Sequence, residues 1–349
     1  MTEGTRLPNI VSPLQIVSMG GGTGLATLLR GLKRYAKPEG GGVGITAIVT
    51  VTDDGGSSGR LRRDFDVLPP GDIRNCMVAL SQDETLLSRL FDYRFATGRG
   101  LKGHSFGNLF LTAMTHLTGE FRQAVKLSSE VLRVAGRIYP STAAKVALEA
   151  TLVSGAKLSG ETLISRSTER IERVELRPRK VKPLEETLEA IGGADLITFG
   201  PGSLFTSVIP NLLVDGIPQA VASSPAVKAF FVNLMTQPGE TGDFRASDHV
   251  AALLRHGGRS ARRLIDVVVV NSGHIAGKTL DRYRAQAARQ VENDIKRIEQ
   301  LGLRVIETDL VRMAGLRTHP KIRHDPGTLG AVAIELAEHG RGAKGKLAS

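Results

Sequence analysis

Glycines, hydroxyls and carboxylates recur along this 349-residue chain at spacings suited to holding a phosphorylated ligand. The run Gly20-Gly21-Gly22-Thr23-Gly24 follows an apolar stretch, 14–19, and precedes Leu25, Leu28, Leu29 and Leu32 at helical spacing. Strand, tight loop and helix in that order open a mononucleotide-binding unit. Glycines there permit positive φ, let a ligand approach the backbone and leave the first helical N–H groups aimed at an anion. Thr23 adds a hydroxyl donor. A second unit repeats this logic, with a strand at 195–199, the loop Gly200-Pro201-Gly202-Ser203 and a helix at 204–213. Ser203 is placed both to cap that helix and to contact phosphate. Two such loops imply two halves converging on one crevice at the carboxyl ends of the strands.

Carboxylates and hydroxyls stand near these loops. Asp53 and Asp54 end a β-branched run, 43–52, at the tip of the second strand. An acid there holds a ribose hydroxyl in dinucleotide folds, and it equally suits Mg²⁺ beside a diphosphate. The loop 53–59 carries Ser57, and Pro69-Pro70-Gly71 turns into a helix that Asp72 can cap, with Asn75 one turn on. Gly103-His104-Ser105-Phe106-Gly107 matches the pattern of a hydrolase nucleophile elbow, but that motif needs a buried strand before it. Here the preceding residues, 95–102, are polar and glycine-rich, so the stretch reads as a loop entering the helix 106–117. His104 and Ser105 stand at its mouth and Asn108 in its first turn. Asn233, Thr236 and Gln237 end the strand 229–235, and Arg323-His324-Asp325 precedes the terminal helix.

The elements that must position these groups alternate between strand and helix. Further strands are expected at 266–271 and 304–307, and helices at 25–35, 85–92, 184–191, 247–256 and 279–301. The fold class is α/β: a doubly wound, mostly parallel, Rossmann-like sheet. Period-two alternation from Val146 to Leu176 marks a small antiparallel β insert, about 144–178, with 163–165 among its extended pieces. The expected organisation is an N-terminal extension at 1–13, a loop at 38–42, a single domain at 14–338 and a loose basic tail at 339–349.

Composition narrows the partners. A net charge of +11 raises nucleic acid, but only 4% of residues are aromatic and none is Trp, so stacking platforms are scarce. The basic residues fall in scattered clusters that read first as solvated faces, and beyond that as attraction for an anionic small molecule or an acidic protein surface. Eight histidines without metal-ligand spacing and a single cysteine, Cys76, argue against zinc and against an internal disulfide. No run approaches the roughly 20 apolar residues of a membrane span, and the start of the chain lacks a signal-peptide pattern. Cytoplasmic location without membrane insertion is the expectation.

Taken in order, the glycine loops join Thr52 to Arg62, Pro69-Pro70-Gly71-Asp72-Ile73-Arg74-Asn75, Gly103 to Asn108, Asn233 to Thr241 and Arg323-His324-Asp325. This ordered set resembles the YvcK family of bacterial gluconeogenesis factors, within the superfamily of 2-phospho-L-lactate transferase (CofD). The resemblance spans about residues 14–336. It implies a cytoplasmic protein that binds UDP-N-acetylglucosamine, requires no cofactor and acts in cell shape and peptidoglycan synthesis during gluconeogenic growth. It implies no established catalytic turnover, a cell-wall synthesis protein as partner, and leaves a homo-oligomer open. On this reading the diphosphate meets Gly20–Gly24 and Gly200–Ser203, hydroxyls meet Asp53 or Asp54, Asn108 and Asn233, and Arg323 is a charge partner. Two rivals stay open: a transferase using Mg²⁺ on Asp53 or Asp54, and an NAD-binding protein. Against the latter, Leu25 stands where a third fingerprint glycine would be.

Overall fold

The computed structural model describes residues 12–36, 42–82, 86–314 and 321–347. Most of the expected N-terminal extension, the loop at 38–41 and the start of the helix expected from Thr85 lie outside them. In chain order the strands are β1 Leu14–Gly20, β2 Val43–Val49, β3 Arg137–Pro140, β4 Ala147–Leu152, β5 Lys157–Ser159 and β6 Ile171–Arg177, followed by β7 Leu196–Phe199, β8 Val227–Phe231, β9 Val267–Asn271, β10 Arg304–Thr308, β11 Val311–Ala314 and β12 Lys321–His324. The helices are α1 Gly22–Lys33, α2 Gly56–Phe65, α3 Gly71–Leu80, α4 Leu86–Asp92, α5 Phe106–Thr118, α6 Phe121–Val131 and α7 Glu161–Ile164, then α8 Glu185–Gly193, α9 Ile209–Leu212, α10 Ile217–Ser223, α11 Ala246–His256, α12 Gly277–Arg284, α13 Ile295–Gln300 and α14 Pro326–Leu347.

Seven strands form one parallel sheet in the order β10-β9-β8-β7-β1-β2-β3, with helices on both faces. Its central strands are buried on both sides, which is why β7 and β9 read as unbroken apolar runs rather than alternating ones. The chain winds outward from β1 to β3, then returns to β7 on the other side of β1 and winds outward again. The order therefore reverses between β1 and β7, and both glycine loops leave the sheet at that switch point. The insert is a three-stranded antiparallel sheet, β5-β4-β6, as its alternation requires. Among the described residues no single helix is long and apolar enough to cross a membrane.

Several local expectations need correction. The glycine-serine stretch after Asp54 is not a loop throughout: α2 starts at Gly56 with Ser57 and Ser58 buried in its first turn. Small residues are needed there because a Cβ on Gly59 would collide with the Asp54 carbonyl. Residues 163–165 are not extended; Ile164 instead ends the short helix α7. The periodic stretch 279–301 divides into α12 and α13, because residues 289–291 pair with 234–236. Arg289 N donates to Thr236 Oγ1 and Val291 N to Leu234 O, so tertiary pairing overrides helical periodicity. The tail is not loose from His339, since α14 runs to Leu347. Arg341 in that helix donates to the Ser12 and Pro13 carbonyls and to Asp195 Oδ2.

Asp54 fastens the insert to the main sheet. Its Oδ1 accepts from Thr162 N at 2.9 Å and Thr162 Oγ1 at 2.7 Å, both at the start of α7. Replacing Asp54 by Ala is expected to cost about 1–3 kcal/mol by orphaning these donors. It should also open the 160–170 segment to limited proteolysis. An unchanged cleavage pattern would show that other contacts hold the insert.

Candidate functional site

The cleft at the switch point is built by the two glycine loops closing on each other. Gly21 is the N-cap of α1 in extended geometry, and no side chain caps the helix. Gly22 follows at φ +61°, a conformation in which a side chain is strained. Gly24 lies so close to the second loop that a Cβ would overlap the Pro201 carbonyl and reach within 2.8 Å of Gly202 Cα. Between them opens a cavity of about 270 Å³, lined by Gly21–Gly24 and Pro201–Ser203, with Ser207, Asn233–Met235, Gln237, Tyr283 and 322–324 around it. The positive end of α1 on one wall and an exposed arginine, Arg323, on another suit an anion.

Side chains behind the second loop hold its shape. Asn233 accepts from Gly202 N at 3.1 Å and donates to Gly202 O at 2.8 Å, so both ends of its amide are engaged. Gln237 Nε2 donates to Ser203 Oγ at 2.8 Å. Ser203 is not a side-chain cap; the chain enters a π-helical turn, Leu204–Val208, whose Phe205 N–H is satisfied by the buried Glu240 carboxylate at 2.9 Å. Glu240 also accepts from Thr206 Oγ1 at 2.8 Å. An acid reaching in from a neighbouring loop thus replaces the expected serine cap.

Beneath the first loop lies a cluster of carboxyl groups. Asp72 is not the cap of α3 either: it accepts from Gly22 N, and its Oδ2 would be 2.5 Å from a Cβ on Gly21. Burial, reinforced by the neighbouring Asp53 charge, raises Asp72 from 3.8 to about 7. Burial likewise raises Asp53, although its Oδ1 accepts from Gly55 N at 2.9 Å and it bonds Ser58. Glu161, brought in by the insert, is raised to about 9, first by burial and then by Asp72 and Asp53. Such a cluster tolerates an adjacent phosphate when it holds protons or is bridged by a cation. Asp53 and Asp72 are the pair that Mg²⁺ would meet beside a bound diphosphate, the phosphate supplying further oxygens. Among the described residues no group of three His, Cys, Asp or Glu forms a ready metal cage.

A third group adjoins the acids. Ser57 Oγ lies 3.0 Å from His104 Nδ1, and burial lowers the His104 pKa. Ser105 caps α5 by accepting from Asn108 N, and Asn108 Nδ2 donates to Ser58 Oγ at 3.4 Å, continuing the path to Asp53.

The expected site residues therefore divide. Gly21–Gly24, Pro201, Gly202, Ser203, Asn233 and Arg323 come together around the cleft. Gly20 ends β1 and Gly200, at φ +71°, turns the chain after β7. Asp53, Asp72, Ser57, His104, Ser105 and Asn108 form the layer beside them. Thr236 pairs with Arg289, Asn75 accepts from Arg74, and Asp54 holds the insert, so none of these three lines the cleft. Tyr283 was not foreseen, because the periodicity around it reads as surface helix. Its hydroxyl accepts from Ile322 N at 3.1 Å and fixes the β11–β12 hairpin that carries Arg323. Glu240 and Glu161 were also missed. The Pro238-Gly239-Glu240-Thr241 turn, just past Asn233, was the available signal for Glu240.

Comparison with known proteins agrees with this geometry. The family model described as 2-phospho-L-lactate transferase CofD matches residues 16–311. The gluconeogenesis factor of Bacillus subtilis is 47% identical over 322 residues, covering 92% of this chain and 98% of that protein. A gluconeogenesis factor of Halalkalibacterium halodurans is 43% identical over 320 residues, covering 92% and 95% of the two chains. A crystal structure of a Bacillus halodurans protein superposes with a TM-score of 0.87 at 42% identity, covering 93% of this chain and all of that one. With the sheet order, the paired glycine loops and the acids beneath them in place, the chain belongs to the CofD family and, within it, to the gluconeogenesis factors.

Proposed function

We propose that this protein is a cytoplasmic, UDP-N-acetylglucosamine-binding regulator that acts on cell shape and peptidoglycan synthesis during gluconeogenic growth, without catalytic turnover of its own. The observation that carries this reading is the approach of Gly24 to Pro201 and Gly202, which sets two glycine loops on either side of one small cleft. That arrangement suits a diphosphate flanked by two polar groups better than a single phosphate. Arg323 at the rim supplies a charge partner. A second reading, a Mg²⁺-dependent transferase of the phospholactyl type, is favoured by the carboxyl pair Asp53 and Asp72 against the first loop.

Calorimetric titration with UDP-N-acetylglucosamine, with NAD for comparison and each with and without Mg²⁺, distinguishes these. Saturable binding of the intact nucleotide sugar, not dependent on metal, is the expected result. Absence of that binding, with NAD bound or phospholactyl donors turned over only when Mg²⁺ is present, would overturn the regulator reading.

A further inference from the structure

A second cavity lies away from the glycine loops, at the outer edge of the sheet. β3 ends the seven-strand order, so among the described residues its outer edge carries no strand. That edge, residues 136–139, forms one wall of a trough of about 500 Å³, and one face of α6 forms the other. Open strand edges are usually covered, charged or shortened, because their free N–H and C=O groups pair with any extended chain that reaches them.

Charge on this trough is one-sided where it is free. Arg122 pairs with Glu186 and Glu120 at one end of it. Lys126, Arg133 and Arg137 make no ion pair among the described residues, and all three are exposed. Of the two acids lining the trough, Glu186 is taken up by Arg122, and Glu130 stands against the three cations. Arg133 adds an independent observation. It sits just past the end of α6 at φ +48°, where helices commonly place glycine. That turn sets the Arg133 side chain among the residues that line the trough.

We propose that the outer edge of β3 is a docking strand for an acidic, extended polypeptide segment, which adds to the sheet as an eighth strand with its carboxylates on Lys126, Arg133 and Arg137. The chemistry selects this occupant. A small anion needs convergent buried donors, whereas these cations are exposed along an open trough. A nucleic acid needs stacking surfaces, and Tyr139 is the one aromatic residue lining it. An extended peptide uses both the strand edge and the charge. Docking here engages none of the residues that line the glycine-loop cleft, so partner and small ligand can be held together.

The test uses the full chain and a fluorescein-labelled peptide of alternating valine and glutamate, read by anisotropy at low salt. Two N-methylated versions, blocked along one edge or the other, separate strand addition from charge attraction. Saturable binding that one pattern of methylation abolishes and the other spares is expected, with protection of the β3 amides from hydrogen exchange. The pair Lys126→Glu and Arg137→Glu should weaken binding about tenfold. Arg133→Gly relieves the backbone strain, so it should hold or raise the thermal midpoint while weakening the peptide about fivefold. No saturation, equal binding of both methylated peptides, or tighter binding of an oligonucleotide of equal charge would overturn the proposal.

Discussion

Gly24→Ala is expected to abolish ligand binding at the cleft, although it adds a single methyl group. The new carbon would overlap the Pro201 carbonyl, which is backbone and cannot rotate away. Relief requires the two glycine loops to separate. The second loop is pinned by Asn233 on both sides of Gly202 and by Gln237 on Ser203, so it resists moving. Overpacking of this kind costs about 1–3 kcal/mol. The larger effect falls on binding, because donors moved by an ångström no longer meet both phosphates of a diphosphate. A loss of at least about a hundredfold in affinity corresponds to about 2.7 kcal/mol, comparable to two charge-assisted hydrogen bonds. Gly20→Ala is the contrasting variant: the nearest atom to its new carbon would be Leu25 Cβ at 3.4 Å, an ordinary van der Waals contact, so near-normal affinity is expected. Calorimetric titration of both variants with UDP-N-acetylglucosamine decides the matter. Retained affinity in Gly24→Ala would place the ligand elsewhere.

The contrast between these glycines shows what the sequence could reveal. Three glycines in a row after a buried strand announce a tight strand-to-helix loop, and a second glycine loop after a later strand points to the switch point, because both signals are local. Which glycine touches what is not local. The approach of Gly24 to Pro201 joins residues about 180 positions apart, and only the sheet order creates it. The same limit hid the true caps. Ser203 and Asp72 stand where sequence rules put N-caps, yet Glu240 serves Phe205 N–H and Asp72 serves Gly22 N–H. The edge strand β3 escaped notice because four residues carry too little alternation to register. Tyr283 escaped because it lies within 279–301, a stretch whose helical periodicity is broken further on by pairing of 289–291 with 234–236.

The pH dependence of stability should lose much of its slope in Asp72→Asn. Asp72 has a folded pKa of about 7 against an ordinary 3.8, with burial the first cause and the Asp53 charge the second. A raised acid contributes its stability fully below the unfolded value and loses it as pH climbs through the folded one. Between those values the folded chain keeps a proton that the unfolded chain has released, so stability falls by about 1.4 kcal/mol per pH unit. Asparagine still accepts from Gly22 N–H but never ionises. Urea unfolding of both proteins should therefore diverge from pH 5 to pH 8, the variant gaining about 2–3 kcal/mol relative to the wild type. Parallel curves would show that Asp72 does not titrate in this window. The same variant separates the two functional readings. Without metal, ionised Asp72 repels a diphosphate on the adjoining loop, so nucleotide-sugar affinity should fall above pH 7 in the wild type and stay level in Asp72→Asn. If Mg²⁺ instead restores both stability and affinity at pH 8 in the wild type alone, the carboxyl pair is a cation site and the transferase reading gains over the regulator.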